Sequence, residues 1–146
     1  MTTSQRRKIL LVDDDPAGAE LTVAALAMLD PDAEVEVAAD GEEALDYIFR
    51  RGSFERRPVD LPGAVLLDLK MPKVDGHEVL RQIRANADLR ALKVIVLTSS
   101  DQSHDRIRSR ELGSNGYLVK PASIVELMEL LRACPDLIAP SEGSGY

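Results

Sequence analysis

Four short runs of aliphatic residues constrain the fold of this chain more than any other feature of its sequence. They are Ile9–Val12, Val65–Leu67, Val94–Leu97 and Tyr117–Val119. None of them alternates polar with apolar residues, which is typical of strands buried on both faces in a parallel sheet covered by helices. A weaker fifth run, Val35–Ala38, has acidic residues interspersed and is predicted to be an edge strand.

Amphipathic stretches of helical length separate these runs, and most of them begin with a capping residue. Asp15 precedes Pro16, a favoured first helical residue, while Asp40, Asp75 and Ser123 each stand three positions before a Glu. Helices are predicted over 16–29, from Asp40 through Phe49, from Asp75 past Ile83, over 103–112, and from Ser123 through Ala133. The strict alternation of strand and helix predicts an α/β fold, a doubly wound five-stranded parallel sheet with five helices.

The length of 146 residues suits one domain, predicted over 8–133, with an N-terminal extension at 1–7 and a C-terminal tail at 134–146. A net charge of −7 and only five aromatic residues argue against nucleic-acid binding. No stretch approaches the ~20 apolar residues of a membrane span. The basic start followed closely by acids does not resemble a signal peptide, and Cys134 is the one cysteine, so a cytoplasmic protein is expected.

Polar residues follow the predicted strands at the edge where ligands bind in an open α/β sheet. Asp13 and Asp14 follow the first run, and Asp68 follows the third strand. Thr98 follows the fourth strand and Lys120 the fifth. All of these side chains are therefore predicted to point into one cleft.

Three carboxylates gathered in one cleft need a counterion. At ~5 Å and an effective dielectric of about 20, each pair repels by about 3 kcal/mol. Mg²⁺ suits a site with few carboxylates, several waters and a phosphate oxygen. Together with a lysine and a hydroxyl, such a site can bind and transfer a phosphoryl group, with Asp68 as the nucleophile that forms an aspartyl phosphate.

Four motifs in this order resemble the receiver domain of response regulators, the flavodoxin-like fold of the chemotaxis response regulator. The motifs are Lys-Ile-Leu-Leu-Val-Asp-Asp-Asp-Pro at 8–16, Val-Leu-Leu-Asp-Leu-Lys-Met-Pro at 65–72, Val-Ile-Val-Leu-Thr-Ser-Ser at 94–100 and Gly-Tyr-Leu-Val-Lys-Pro at 116–121. Each motif is weak alone, but the spacings of 30 residues from Asp68 to Thr98 and 22 from Thr98 to Lys120 make the set specific.

The resemblance implies roles for the acidic residues. Asp13 and Asp14 would hold the magnesium ion, with Asp14 as the direct ligand. Asp68 would accept the phosphoryl group and also ligate the metal. Lys70 would contribute its backbone carbonyl to the same ion.

The resemblance also implies a switch. The hydroxyl of Thr98 would bind the phosphoryl group and move on phosphorylation, and Tyr117 would change rotamer with it. Lys120 would pair with the phosphate, ahead of a cis peptide bond to Pro121. His77 and His104 have no partner motif and are expected to be solvated.

The long segment 48–63, with its Arg-rich loop, is similar to single-domain regulators paired with bacterial phytochromes. A sensor histidine kinase, of the bacteriophytochrome class, is the partner that this implies. The protein would then be a stand-alone signalling domain with intrinsic autophosphorylation and autodephosphorylation, and its output would pass through a partner protein, a dimer or a phosphorelay. The Arg-rich loop itself is expected to be solvated.

Three other functions remain open from the residues. A hydrolase using an aspartyl-phosphate intermediate would need a second Asp two residues after the nucleophile as general acid, where this chain has Lys70. A pseudo-receiver, acting only as an interaction module, would be expected to have lost site residues, whereas this chain keeps all of them. A dinucleotide-binding domain would need Gly-x-Gly-x-x-Gly in place of Asp-Asp-Asp-Pro-Ala-Gly.

The last predicted helix has more apolar surface than one core requires. Its apolar arc spans about 220° of the helical wheel, wider than the usual stripe. Leu130 and Val125 lie on the flanks of this arc. Either the tail residues Leu137 and Ile138 fold back over them, or the chain forms a homodimer through this helix and the fifth strand, which is the favoured prediction.

Overall fold

Five parallel strands form one sheet in the computed structural model, which describes residues 8–57, 61–135 and 137. The strands are β1 (Lys8–Val12), β2 (Glu34–Ala38), β3 (Ala64–Leu67), β4 (Lys93–Thr98) and β5 (Gly116–Val119). Their order in the sheet is β2-β1-β3-β4-β5, so β2 lies at an edge as predicted. The predicted doubly wound α/β fold is confirmed.

Four α-helices connect these strands and a fifth follows β5, and all of them except α4 begin after a capping residue predicted from the sequence. The helices are α1 (Pro16–Leu29), α2 (Gly41–Phe49), α3 (Gly76–Ala85), α4 (Ser103–Glu111) and α5 (Ile124–Arg132). Side-chain oxygens of Asp15, Asp40, Asp75 and Ser123 accept backbone hydrogen bonds from the first turns. The described residues include no helix long and apolar enough to cross a membrane.

Alternate residues of the central strands pack into two separate apolar cores. Leu10 and Val12 contribute to the core beneath α2 and α3. Ile9 and Leu11 contribute to the opposite core, beneath α1 and α5. Both faces of these strands are therefore apolar, which explains why their sequences do not alternate.

Strand β5 departs from the prediction that it is buried on both faces. All four of its residues are only half-buried. The reason is its place at the second edge of the sheet, where α4 covers it with mostly polar residues. Of the α4 side chains, only the polar Asp105 and Ser109 are buried, while Ile107 is exposed.

The loop after α2 keeps most of its arginines in solvent. Arg50, Arg51 and Arg56 are exposed, as predicted, around a short 3₁₀ helix at Gly52–Phe54. Arg57 is half-buried because its guanidinium stacks 4.2 Å from the ring centre of Tyr47. A second 3₁₀ helix, Ala87–Leu89, follows α3.

The described part of the tail folds back onto the body of the domain. Leu137 is fully buried in the α1/α5 core, in one cluster with Leu127 and Leu131. These are core-facing residues of α5, whereas Val125 stays exposed and Leu130 belongs to neither core, so the explanation that the tail covers these two flanking residues stays a prediction. The predicted extension 1–7, Ile138 and the remaining tail residues lie outside the described part of the chain.

Candidate functional site

The carboxyl ends of four neighbouring strands bring the predicted site residues together. Asp13 follows β1, Asp68 follows β3, Thr98 ends β4 and Lys120 follows β5. Because these strands are adjacent and parallel, side chains far apart in sequence meet at one edge of the sheet.

Three carboxylates form the centre of this site. Oxygen atoms of Asp13, Asp14 and Asp68 all lie within 4.8 Å of one another. Asp13 and Asp68 are buried, whereas Asp14 is exposed. Backbone N–H groups orient the two buried carboxylates: Asp15 donates to Asp13 Oδ1 at 2.9 Å, and Lys70 donates to Asp68 Oδ1 at 3.3 Å.

Lys120 supplies the positive charge within this cluster. Its Nζ lies 2.9 Å from Asp13 Oδ2 and 3.2 Å from Asp68 Oδ2. Burial disfavours the charged ammonium, but the hydrogen bonds and charges of the two carboxylates outweigh burial and raise the pKa of Lys120. The ammonium is therefore held in its charged form against Asp68.

The donor set fits a hard divalent cation. Three ionised carboxylates and one ammonium leave a net charge of −2, which a divalent ion would neutralise. All of the side-chain donors are oxygens, and the exposed Asp14 leaves room for metal-bound water. The peptide of Lys70 lies at the edge of the cluster, since its N–H donates to Asp68.

Thr98 and Tyr117 both contact the loop that joins β4 to α4. Thr98 is fully buried, and its Oγ1 accepts a 3.3 Å hydrogen bond from the backbone N–H of Ser100. Tyr117 donates its hydroxyl hydrogen to the carbonyl of Ser100 at 2.9 Å, and its ring lies 4.5 Å beneath the guanidinium of Arg106. The two residues predicted to switch together therefore hold the same short loop.

Two expectations about the surroundings of the site are wrong. The described residues contain no cis peptide bond, so the bond before Pro121 is trans, the isomer that X–Pro bonds favour by about 0.5–1 kcal/mol. His77 is buried rather than solvated, because the first turn of α3 packs against α4 and places Nε2 3.5 Å from the carbonyl of Asp105. His104 is solvated as expected.

Two glycines permit the close packing that shapes the loop after β3. A Cβ on Gly76 would lie 2.2 Å from the carbonyl oxygen of Asp68, and one on Gly41 would lie 2.1 Å from that of Val74. The N-termini of α2 and α3 thus rest directly on the backbone of this loop. Each glycine directly follows a capping Asp, and the capping motif gives no sign of the contact.

Sequence reasoning also missed a polar cluster beside the site. The carboxylate of Asp105, in the first turn of α4, accepts a 2.6 Å hydrogen bond from Ser100 Oγ and lies 3.1 Å from Lys70 Nζ. An acid in the first turn of a helix is ordinarily a solvated residue that complements the helix dipole. Nothing in the local sequence marks this one as buried.

Comparison with known proteins gives a consistent result. The response regulator receiver domain model matches residues 9–132. The chain is 38% identical over 124 residues to the response regulator Rcp1 of Synechocystis sp., and the match covers 85% of this chain and 83% of that protein. The Mn²⁺-bound structure of Rcp1 superposes with a TM-score of 0.81, covering 92% of this chain and 97% of that one, at 35% identity.

Two further solved structures are similar over most of their length. The bacteriophytochrome response regulator AtBRR is 46% identical with a TM-score of 0.76, covering 92% of this chain and 94% of that one. The phosphorylated cyanobacterial phytochrome response regulator RcpA is 35% identical with a TM-score of 0.79, covering 86% and 89%. By their names, one is a phytochrome response regulator and the other a bacteriophytochrome response regulator.

Proposed function

Because this chain belongs to the response regulator receiver family, we propose that it accepts a phosphoryl group from a sensor histidine kinase on Asp68. The observation that carries the proposal is a buried carboxylate directly after β3 that contacts the ammonium of Lys120 and lies within 4.8 Å of two further carboxylates. Asp68 Oδ2 faces the ammonium of Lys120, and Oδ1 accepts the N–H of Lys70. Of the three clustered carboxylates, Asp68 is the one that directly follows β3, the position to which the resemblance to receiver domains assigns the acceptor.

The reaction is a simple exchange of one bond to phosphorus for another. A carboxylate oxygen of Asp68 attacks the phosphorus of a phosphohistidine, the P–O bond forms, and the P–N bond breaks. The departing imidazole nitrogen takes up a proton. The ammonium of Lys120, held in its charged form, is placed to neutralise the charge that reaches Asp68.

We infer that Mg²⁺ is the ion of this site. The carboxylates of Asp13, Asp14 and Asp68 would hold it together with the backbone carbonyl of Lys70. When bound, the ion neutralises charge on the phosphoryl oxygens. The acidic cluster suits a divalent ion in general, and a related regulator has been solved with Mn²⁺.

Thr98, Tyr117 and Lys120 are proposed to carry the signal away from Asp68. A phosphoryl group adds about −1.5 to −2 charge units, which attracts the hydroxyl of Thr98 and the ammonium of Lys120. Thr98 Oγ1 and Tyr117 both contact Ser100. Movement of Thr98 would therefore move the β4–α4 loop and the ring of Tyr117 together.

The kinase partner is proposed to be a bacteriophytochrome. This rests on the similarity to the bacteriophytochrome response regulator AtBRR and the phytochrome response regulator RcpA. A phosphotransfer screen from each sensor kinase of the source organism should give fastest labelling from a phytochrome kinase. Faster transfer from another kinase class would overturn the assignment of the partner and leave the acceptor site intact.

Autophosphorylation from a small donor tests the proposed function without any kinase. In the presence of Mg²⁺, acetyl phosphate should add the mass of one phosphoryl group, with acetate as the leaving group. The product should be stable in acid and labile in base, as an acyl phosphate is, and should hydrolyse slowly by itself. Intact-mass spectrometry measures all three properties. A protein that gains no phosphoryl group under these conditions contradicts the proposal.

A homodimer through α5 and β5 is also proposed. Val125 of α5 is 62% exposed although it is a large aliphatic residue, and Leu130 is half-buried and belongs to neither apolar core. The half-buried strand β5 lies at the adjacent sheet edge. A two-fold axis through this face would cover both elements.

Leu130→Glu should convert such a dimer to a folded monomer, because it places a charge in the apolar seam. Sedimentation velocity at micromolar concentration measures the change, and circular dichroism checks the fold. Glu129→Lys, on the polar side of the same helix, is the matched control and should remain dimeric. A wild type that is monomeric both alone and with a phosphoryl mimic would refute the dimer.

A further inference from the structure

Helix α4 is held to the domain by polar contacts. Its two buried side chains are those of Asp105 and Ser109, and its large aliphatic residue Ile107 is 46% exposed. The other four helices contribute between two and four buried apolar residues each. Since apolar burial contributes little to fixing α4, the position of this helix depends on its polar partners.

The carboxylate of Asp105 joins α4 to the two loops that flank the phosphorylation site. Its Oδ2 accepts the hydroxyl hydrogen of Ser100 at 2.6 Å and lies 3.1 Å from Lys70 Nζ. Lys70 stands two residues after Asp68, and Ser100 stands two residues after Thr98. The three side chains, Lys70, Asp105 and Ser100, are called the latch below.

Only one end of the latch is free to move. The side chain of Asp105 is 4% exposed, whereas that of Lys70 is 59% exposed. The buried carboxylate of Asp105 is held by the hydroxyl of Ser100 at 2.6 Å. Asp105 is therefore the fixed partner, and Lys70 carries its charge on a flexible, exposed side chain.

Lys70 stands between two anions once Asp68 is phosphorylated. Its backbone N–H lies 3.3 Å from Asp68 Oδ1, so the root of its side chain is beside the phosphoryl acceptor. From that root, the ammonium is drawn either to Asp105 or to a phosphoryl group carrying up to about two negative charges. Both attractions cannot be satisfied fully by one ammonium.

We propose that Asp105 is a positioning residue that holds the Lys70 ammonium away from the phosphorylation site, and that this ion pair breaks when Asp68 is phosphorylated. The inference rests on the proposed function of Asp68. Loss of the Lys70 contact leaves Asp105 buried with one partner fewer, so α4 loses part of its polar attachment. The latch therefore links the charge at Asp68 to the position of α4 through a route separate from Thr98.

Affinity for beryllofluoride, a phosphoryl mimic, tests the latch in the presence of Mg²⁺. Asp105→Asn keeps the shape of the side chain but frees Lys70, so beryllofluoride should bind about fivefold tighter than to wild type. Ser100→Ala, which removes the hydrogen bond that orients Asp105, should shift the affinity in the same direction by a smaller factor. Asp101→Asn is the matched control, because Asp101 lies just before α4, is exposed and contacts Arg106 instead; it should bind as wild type does.

A double-mutant cycle separates positioning from a general structural effect. In a Lys70→Met background, Asp105→Asn should change the affinity by less than about twofold, because the cation through which it acts is absent. Thermal unfolding of each metal-free variant reports any loss of fold. An equal gain in both backgrounds, or no gain in either, overturns the latch. A wild type that binds no beryllofluoride refutes the proposed function itself, and the latch with it.

Discussion

Asp68→Asn is expected to abolish labelling by acetyl phosphate, a loss of about a hundredfold or more relative to wild type. The amide keeps the size of the carboxylate but removes the charge and the nucleophilic oxygen. Asp13 and Asp14 are close enough to be alternative acceptors in principle, since their oxygens lie within 4.8 Å of those of Asp68. Asp14 is exposed to water, whereas Asp13 is buried and contacts Lys120 as Asp68 does, so Asp13 is the alternative acceptor that this variant tests.

Asp15→Asn is the matched control for this experiment. It is isosteric, adjacent in sequence to the acidic pair and exposed, and its side chain caps α1 by accepting from Ala17 N–H. Asn caps a helix about as well as Asp, so neither stability nor labelling should change. Intact-mass spectrometry after a fixed time with acetyl phosphate and Mg²⁺ compares the three proteins. Undiminished labelling of Asp68→Asn would eliminate Asp68 as the acceptor.

Asp14→Asn should weaken Mg²⁺ binding by about tenfold to a hundredfold and stabilise the metal-free protein. Loss of a contact that only orients a metal ligand typically lowers metal affinity by about tenfold to a hundredfold, and loss of a ligand carboxylate should lower it at least as much. In the absence of metal, the same carboxylate repels its neighbours, so its removal should raise the melting temperature by about 3 °C. Metal affinity should fall while the melting temperature of the metal-free protein rises. A general loss of packing would lower both.

Thermal unfolding with and without MgCl₂, together with calorimetric titration of Mg²⁺, measures both parts. The Asp15→Asn protein again serves as the control, with wild-type affinity and melting temperature. A variant that loses metal affinity and stability together would indicate a packing role for Asp14. A variant that binds Mg²⁺ as wild type does would remove Asp14 from the set of ligands.

The sequence predicts those features of the fold that depend on short-range patterns. The caps at Asp40 and Ser123 are visible in four consecutive residues, and the ends of the strands follow from aliphatic runs. Because parallel strands all end at the same edge, the meeting of Asp13, Asp68 and Lys120 could be predicted from these local features together with one topological rule.

The sequence does not predict features that depend on which helices and strands pack against each other. The burial of His77 arises because α3 packs against α4, and Asp105 is buried by the same contact. Strand β5 has the same aliphatic character as its neighbours, yet its position at a sheet edge leaves it half-buried. In each case the residue type has several common environments, and tertiary packing selects one of them.

The contacts at Gly41 and Gly76 have a consequence for how this protein tolerates sequence change. The loop that follows Asp68 is supported from below by main-chain atoms of two helix starts. These main-chain contacts do not depend on which aliphatic residues fill the two cores, provided that the core volume is kept. The residues of the two cores can therefore change extensively during evolution or redesign while the carboxylates stay in place, whereas any side chain at position 41 or 76 displaces the loop that follows Asp68. The absence of a side chain at these two glycines therefore constrains the geometry of the site more strictly than the identity of the core residues does.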